Sequence, residues 1–249
     1  MKVSIMQPNI FMWGGLLKSI LDSDLHIVLD VVKSSKNSRY NRNKIAGLGD
    51  ASWLTIPYVK FKREKKLFNQ ILDTSDNARS KILSFFSSRY STTKYFKNSL
   101  NIIDQTLKTN EPKSRLCNVY NEFINALKSN EIPLCKIEFA SNLIEIDNPE
   151  YSLTGIDLIN TLLKKVNAEV YLASENTLNY ALPREYKVSQ VWIQKFSAQI
   201  YPQLNFMKKN NFIPNLSILD MISYLDNQEI IDNLKQSNHW KKVNNKIDF

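Results

Sequence analysis

One carboxylate in this sequence is followed closely by a group of cations and amides. Asp30 ends an apolar run, and after it come Lys33, Lys36, Arg39, Asn41, Arg42 and Asn43. An arginine can hold a phosphate through two parallel hydrogen bonds, and an asparagine can both donate and accept them. The pattern predicts a site for a nucleotide or a nucleotide-linked sugar. The alternative is a loop whose charges face water, with Asp30 capping the end of a strand.

The second candidate site is the loop from Gln7 to Gly15, which lies between a predicted strand and a predicted helix. In an open α/β sheet, ligands bind beyond the carboxyl ends of the strands, and a helix N-terminus attracts anions. We expect Gln7 and Asn9 to hydrogen-bond a ligand. We expect Trp13 to stack on a sugar or base, and a phosphate group to lie over Gly14. In the structural alternative, the amides bind the loop's own backbone and Trp13 packs in the core.

Familiar catalytic motifs are absent from this sequence. It contains no P-loop, no GxGxxG after a strand, no GxSxG and no HExxH. Its two histidines, His26 and His239, lie near opposite ends of the chain, and we expect both to be structural or solvent-facing. Cys117 and Cys135 form no CxxC pair and no disulfide framework, so a reducing cytoplasm is expected. With no metal or dinucleotide motif, the cofactor stays undetermined.

The positive charge of the chain is concentrated in one segment. The 249 residues carry a net charge of +9, whereas residues 33–66 hold ten cations and two anions. An anionic ligand should therefore approach this segment. Its aromatic residues Trp53, Tyr58 and Phe61 favour a second hypothesis, a protein that binds nucleic acid or a charged carrier through phosphate contacts and base stacking.

The predicted elements alternate between strands and helices at both ends of the chain. In the first 75 residues they are a strand over Lys2–Met6, a helix from Leu16 to Leu21, a strand over His26–Val32, a polar basic loop over residues 33–50 and a strand over Trp53–Pro57. Residues 76–129 have helical periodicity. Later come a capping box at Thr154–Asp157 with its helix, a strand over Val170–Leu172, a capping box at Ser217–Asp220 with its helix, and a polar, frayed tail after Gln228.

This order predicts an α/β fold with a Rossmann-like, parallel or mostly parallel sheet and a helical insert. We expect an N-terminal βαβ-type ligand-binding segment over residues 1–75, a helical insert over 76–130 and an α/β part over 131–249 that completes the sheet of one compact unit. No uncharged stretch has the features of a signal peptide or the length of a membrane span, so export and integral membrane location are not expected.

The candidate residues also carry a resemblance. The chain resembles the WbqC-like family of bacterial proteins, which is found with O-antigen and other surface-glycan genes. The matching positions are the loop Gln7-Pro8-Asn9 with Trp13-Gly14, then Asp30, Lys36, Asn41-Arg42-Asn43, Trp53-Leu54-Thr55 with Pro57, and later landmarks that include Tyr90, Lys94, Gly155, Tyr201-Pro202 and Ser217 with Asp220. Met12, Leu16, Val31 and Arg39 depart from the family pattern, which indicates a divergent member.

The resemblance implies work on a nucleotide-linked sugar in the assembly of a bacterial surface polysaccharide. The expected reaction is transfer of an acyl or aminoacyl group, such as glycyl, to a sugar amine, with acyl-CoA, acyl carrier protein or aminoacyl-tRNA as the donor. In this hypothesis Asp30 is the general base, and Thr55 or Asn43 donates to the developing oxyanion. The pyrophosphate lies over Gly14 and beside Lys36 and Arg42.

Three alternatives stay open: a nucleic-acid or carrier binder, a nucleotidyltransferase-like protein that binds nucleotides, and a non-catalytic scaffold. The nucleotidyltransferase reading is the weaker one for catalysis, because the paired histidines of that machinery are absent. The oligomeric state is undetermined.

Overall fold

A computed structural model describes residues 1–35, 38–47, 50–63, 65–145, 149–179, 181–203 and 212–243. Its strands are β1 (Lys2–Met6), β2 (Leu25–Val28), β3 (Arg42–Ala46), β4 (Ala51–Thr55), β5 (Ile71–Asp73), β6 (Lys113–Arg115), β7 (Lys136–Phe139), β8 (Val170–Ala173), β9 (Gln190–Phe196) and β10 (Asn238–Val243). Its α-helices are α1 (Gly14–Leu21), α2 (Asp76–Tyr90), α3 (Phe96–Leu107), α4 (Leu116–Ser129), α5 (Ala140–Leu143), α6 (Gly155–Lys165), α7 (Ile218–Tyr224) and α8 (Asn227–Ser237).

The central sheet has six strands in the order β7-β2-β1-β8-β9-β10. Neighbouring strands are parallel except for β9 and β10, which are antiparallel. Counted along the chain, the sheet strands follow the order 3-2-1-4-5-6, which is the order of the Rossmann fold. The predicted α/β fold with a mostly parallel sheet is therefore confirmed.

The two faces of the sheet contribute to two different cores because side chains alternate along each strand. Val3 and Ile5 of β1 and Ile27 of β2 pack on one face, together with Leu158 and Leu162 of α6. The opposite face is covered by helices that include α1 and α8, and the core there continues into the helical layer. The central strand β1 is therefore buried on both sides, as expected for a parallel sheet.

The predicted helical insert corresponds to α2, α3 and α4, which follow one another between β2 and its sheet neighbour β7. Helix α3 packs against both α2 and α4, and also against α7 from the C-terminal part. The predicted core positions Ile82, Phe86, Ile103, Leu107, Phe123 and Leu127 are buried, while Phe85 and Leu100 are partly buried against the same core.

Two predictions about the first 75 residues were wrong. The strand predicted over His26–Val32 is shorter, since β2 ends at Val28. The strand predicted over Trp53–Pro57 corresponds to β4, which lies outside the central sheet. It forms an antiparallel hairpin with β3, which lies inside the segment predicted to be a loop. Inward-facing Asn43 interrupts the apolar alternation of β3, and this hides the strand.

The C-terminal predictions also need correction. Of the tail predicted to be frayed after Gln228, the described residues 229–243 form the rest of α8 and β10. Ser217 does cap α7 through its hydroxyl, which accepts from Leu219 N. Asp220 completes no capping box, because its carboxylate bonds other partners. Thr154 precedes α6 but makes no cap hydrogen bond. Within the described residues, no helix is both long enough and apolar enough to cross a bilayer.

Candidate functional site

A cavity of about 510 Å³ opens at the carboxyl ends of β1 and β8. These strands are neighbours in the centre of the sheet, but the chain leaves β1 toward β2 and leaves β8 toward β9, on the other side. Such a reversal is the switch point at which open α/β sheets bind ligands. The fold therefore places the cavity where a ligand site is expected.

The polar groups of the cavity come from the segments that follow these two strands. Gln7 and Asn9 follow β1, and Ser174 and Thr177 follow β8, with their hydroxyl oxygens 3.3 Å apart. Exposed Arg39, in the segment before β3, also lines the cavity. Amides, hydroxyls and one cation therefore line one space, which suits a ligand with hydroxyl and anionic groups.

The rest of the lining is mainly apolar and aromatic. Tyr171 and Tyr186 lie with ring centroids 5.1 Å apart, and the wall includes Ile5, Leu29 and Ile159. Burial raises the pKa of Tyr186 to about 12 and raises that of Tyr171 still further. Both phenols are therefore hydrogen-bond donors at neutral pH. The described lining residues include no carboxylate, histidine, cysteine or lysine, and hence no group suited to act as a general base.

The N-terminus of α6 borders the same cavity through Gly155 and Ile156. Gly155 has a φ of +55°, a left-handed conformation that is unfavourable for most L-residues. A Cβ at this position would meet no atom within 4 Å, so backbone conformation rather than space explains the glycine. The α6 turn adds backbone N–H groups and the positive end of a helix dipole to the cavity rim.

The loop that carries Gln7 and Asn9 is held by Asn43. Buried Phe11 in this loop has a φ of +58°, which is strained for a residue with a side chain. The Asn43 amide nitrogen donates to Phe11 O at 2.8 Å and lies 3.4 Å from Asn9 Oδ1. Asn43, predicted as an oxyanion donor, therefore positions the loop beside the cavity and does not line it.

Three other predicted ligand contacts serve the fold in this structure. Asn41 is buried and donates from its amide to Ile56 O at 2.6 Å. Trp13 packs edge-on against Phe196, with ring centroids 5.0 Å apart. Gly14 is closely packed, since a Cβ there would lie 3.1 Å from a Leu234 methyl group. None of the three lines the cavity. The packing of Trp13 agrees with the structural alternative considered for it.

Asp30 follows the end of β2 by two residues and is 1% exposed. One carboxylate oxygen accepts from Ser141 N at 2.9 Å, and the other accepts from Ser141 Oγ at 2.6 Å, with Cys117 Sγ 3.7 Å away. Burial raises the pKa of Asp30, and the hydrogen bonds from Ser141 oppose this shift. Its neighbour Leu29 lines the cavity, whereas Asp30 does not. The carboxylate links β2 to α5, and its catalytic role stays a prediction.

Arg42 and Thr55 lie opposite each other in the β3–β4 hairpin, outside the cavity. The Arg42 guanidinium lies over the ring of Trp53, 4.5 Å from its centroid, and donates to Ser38 O. Thr55, predicted as an oxyanion donor, is half-buried. Lys36, predicted to bind substrate, lies outside the described residues.

His26 and the two cysteines, which could carry other chemistry, are packed in or against the core. His26 is fully buried with Nδ1 2.8 Å from Ser4 Oγ, and burial lowers its pKa to about 3, so the ring is neutral. Burial raises the pKa of Cys135 to about 11 and that of Cys117 further, so both are thiols at neutral pH. In the described part of the chain, no three His, Cys, Asp or Glu residues are grouped to hold a metal.

The sequence of this chain is similar to those of one known protein family. The model of a family described as the WbqC-like protein family matches residues 7–231. The chain belongs to this family. One relative, the uncharacterized protein Rv1507c of Mycobacterium tuberculosis, is 23% identical over 227 residues, which cover 89% of this chain and 92% of that protein. No solved structure matches the chain significantly.

Several residues that the structure places at the cavity or in a buried network of this WbqC-like chain were not predicted from the sequence. Ser174 and Thr177 follow the predicted strand Val170–Leu172, so the rule for carboxyl ends of strands was sufficient to find them. No sequence pattern pointed to Tyr186, because a short irregular segment rather than a regular element brings it to the cavity. Asp220 was assigned to a capping box, but its carboxylate accepts from Tyr90 and Tyr201 hydroxyls in the core.

Proposed function

We propose that this WbqC-like protein is a cytoplasmic group-transfer enzyme of bacterial surface-polysaccharide (O-antigen-type) biosynthesis. Its acceptor is a nucleotide-linked amino sugar, and the group transferred to the sugar amine is acyl or aminoacyl, such as glycyl. The observation that carries the proposal is the switch-point cavity, which combines apolar walls, convergent polar groups and one cation. The family membership supports the biosynthetic setting.

The shape of the cavity suggests how such an acceptor would lie. The negative pyrophosphate would be placed at the rim, where Arg39 and the first turn of α6 supply a positive charge and backbone donors. The apolar wall and the pair Tyr171 and Tyr186 suit the flat or weakly polar faces of a base or sugar ring. Gln7 and Asn9 would bond sugar hydroxyls.

In the transfer step, the amine nitrogen forms a bond to the carbonyl carbon of the donor. The C–S bond of a thioester, or the C–O bond of an aminoacyl ester, breaks in the same sequence. The amine proton passes to the departing thiolate or alkoxide, so atoms and charge balance. Because no described lining residue is suited to remove this proton, the amine must enter the reaction neutral. The protein then contributes chiefly by holding both reactants in position.

Isothermal titration calorimetry with UDP-, GDP- and dTDP-linked sugars, and with the free nucleotides, tests the acceptor. One sugar nucleotide should bind, and Arg39→Gln should weaken it about tenfold or more, because a hydrogen bond to a charged group contributes about 1.5–3 kcal/mol. Arg63→Gln is the matched control, since it removes an exposed cation of the same basic segment away from the cavity.

A second pair of variants tests the place of binding. Ile159→Trp puts a large ring into the cavity wall and should abolish binding, whereas the same change at Ile200, which is 80% exposed, should leave binding intact. If no sugar nucleotide binds the folded wild type, or if Ile159→Trp binds normally, the proposal is wrong. A scaffold protein would show the first of these results.

A further inference from the structure

The outward face of the β3–β4 hairpin carries an unusual group of side chains. The strand register pairs Arg42 with Thr55 and Lys44 with Trp53, which places all four side chains on one face. The opposite face carries Asn43, Ile45 and Leu54, which are buried. Trp53 is 39% exposed despite its size. An exposed tryptophan beside two cations on a folded hairpin is not required for the core.

Three cations surround this one indole ring. The Arg42 guanidinium lies 4.5 Å from the ring centroid, the Lys44 ammonium 5.7 Å and the Arg39 guanidinium 5.9 Å. The ring attracts each cation, but the three like charges repel one another. Among the ion pairs between described residues, none involves these three cations. The hairpin therefore presents positive charge that no carboxylate among the described residues pairs with.

Further cations lie in the segments that flank the hairpin in sequence. Ser34 Oγ donates to Lys65 O, and the backbones of Lys33 and Lys66 form an isolated antiparallel β-bridge. The segments around residues 33 and 65 therefore lie side by side. Exposed or half-buried cations on these segments are Lys33, Lys60, Lys62, Arg63 and Lys65. Tyr58 and Phe61 pack against each other at 5.0 Å, and the Tyr58 hydroxyl is buried, so the free aromatic platform is Trp53.

We infer that this face binds single-stranded RNA. It is made of Arg39, Arg42, Lys44 and Trp53, and the cations of the flanking segments add to its charge. Cations spread over several segments exceed what one diphosphate can contact, but they suit a phosphate backbone. Guanidinium planes and an exposed indole also provide stacking surfaces for bases without selecting a sequence.

An anionic membrane is the competing partner for a basic face, and the structure favours RNA. Membrane insertion needs a group of apolar side chains, whereas the exposed large hydrophobic residues in the described part of 33–66 are Trp53 and Val59. The ring of Trp53 is surrounded by three cations, so it cannot enter hydrocarbon without them. Binding of RNA does not depend on the proposed function. If both hold, the RNA would be the donor that carries the aminoacyl group.

Fluorescence anisotropy of a labelled 15-nucleotide oligo(U) RNA, titrated with the full-length protein at several salt concentrations, tests the inference. The affinity should fall steeply as salt rises. For single strands the slope of log K against log salt is about −0.7 per phosphate contact, so Arg42→Gln/Lys44→Gln should reduce its magnitude by about 1.4. The control is Lys241→Gln/Lys242→Gln, an equal charge change on exposed positions of β10.

A second variant separates stacking from charge. Trp53→Leu should weaken RNA binding about fivefold or more at fixed salt and leave the salt slope unchanged, since stacking of one base on an aromatic ring contributes at least this factor. The inference is overturned if oligo(U) does not bind at low salt, or if both double variants lose affinity equally. It is also overturned if only phosphatidylserine-containing vesicles bind and Arg42→Gln/Lys44→Gln prevents it.

The same variants distinguish this inference from the proposed function. Arg42, Lys44 and Trp53 do not line the cavity, so sugar-nucleotide binding should survive their replacement, which also shows that the variants are folded. RNA binding without any sugar-nucleotide binding would overturn the proposed function and support the inference. Sugar-nucleotide binding without RNA binding would do the reverse.

Discussion

The Tyr90 hydroxyl donates a hydrogen bond to the Asp220 carboxylate across 130 residues of sequence, inside the core. The same hydroxyl accepts from Ala46 N at 2.8 Å, and the other Asp220 oxygen accepts from Tyr201 at 2.7 Å. One carboxylate thereby connects α7, α2 and the hairpin strand β3. The landmarks Tyr90, Tyr201 and Asp220, far apart in sequence, belong to a single buried network.

This network predicts that stability depends on pH below neutrality. Burial raises the pKa of Asp220 from 3.8 to about 6, while its hydrogen bonds oppose the shift. A raised pKa means that the folded state binds the proton more tightly than the unfolded state. The stabilisation from protonating Asp220 is therefore complete below about pH 4 and is lost as the pH rises through about 6. It amounts to about 3 kcal/mol in the free energy of unfolding.

Urea unfolding of the wild type and Asp220→Asn between pH 4 and 7 measures this contribution. Asparagine cannot titrate, so the difference between the two unfolding free energies should change with pH over this range. Other buried acids, such as Asp30, titrate in both proteins and cancel in the difference. Two curves that run parallel from pH 4 to 7 would show that Asp220 does not titrate there.

Asn43→Ala should destabilise the protein by about 1–3 kcal/mol, because the buried carbonyl of Phe11 loses its donor. It should also weaken sugar-nucleotide binding, since the loop that carries Gln7 and Asn9 is no longer held. Calorimetry and urea unfolding give both quantities. Asn98→Ala, on α3 and away from the loop, is the control. Unchanged stability would remove the positioning role assigned to Asn43.

Gly155→Ala should cost about 1–2 kcal/mol of stability, because alanine is strained at a φ of +55°. Since a Cβ there meets no neighbour, no steric clash adds to this cost. Gly155→Asn should cost less, because asparagine adopts the left-handed conformation more readily, as Asn167 and Asn215 do in this chain. Equal losses for both variants would contradict the conformational explanation.

The absence of a base among the described lining residues predicts a simple pH profile for transfer. The value of kcat/KM should rise tenfold per pH unit up to the pKa of the substrate amine and then level off. Asp30→Asn, which can still accept from Ser141 N, should leave the shape of this profile unchanged. If the wild type shows a second acidic limb, below the pKa of the substrate amine, and the folded variant loses it, Asp30 is the base.

The sequence was informative where one physical rule dominates. The apolar run from His26 to Val32 predicted a strand covered on both faces, and β2, which overlaps this run, is fully buried. The loop after β1 pointed to the end of the sheet at which the cavity opens. The hairpin was missed because Asn43 faces inward to bind the Phe11 carbonyl, a contact set by tertiary structure. Strand β10 was missed because an edge strand tolerates Lys241 and Lys242.

The site was harder to predict than the fold, because residue type does not reveal which way a side chain faces. Asp30 and Leu29 are adjacent, yet Leu29 lines the cavity and Asp30 bonds Ser141. Of the cations named in the basic segment, Arg39 is the one among the described residues that lines the cavity. These outcomes depend on contacts between segments distant in sequence.

The pairing of β1 with β8 has a consequence for how the chain is made. Lys2 pairs with Val170, so one side of the central strand has no partner until residue 170 has been synthesised. At about 5–20 residues per second, this wait lasts roughly ten to thirty seconds. During that time the unpaired backbone N–H and C=O groups on one side of this apolar strand can pair with other chains. Nascent protein is therefore expected to depend on chaperones more than its small size implies.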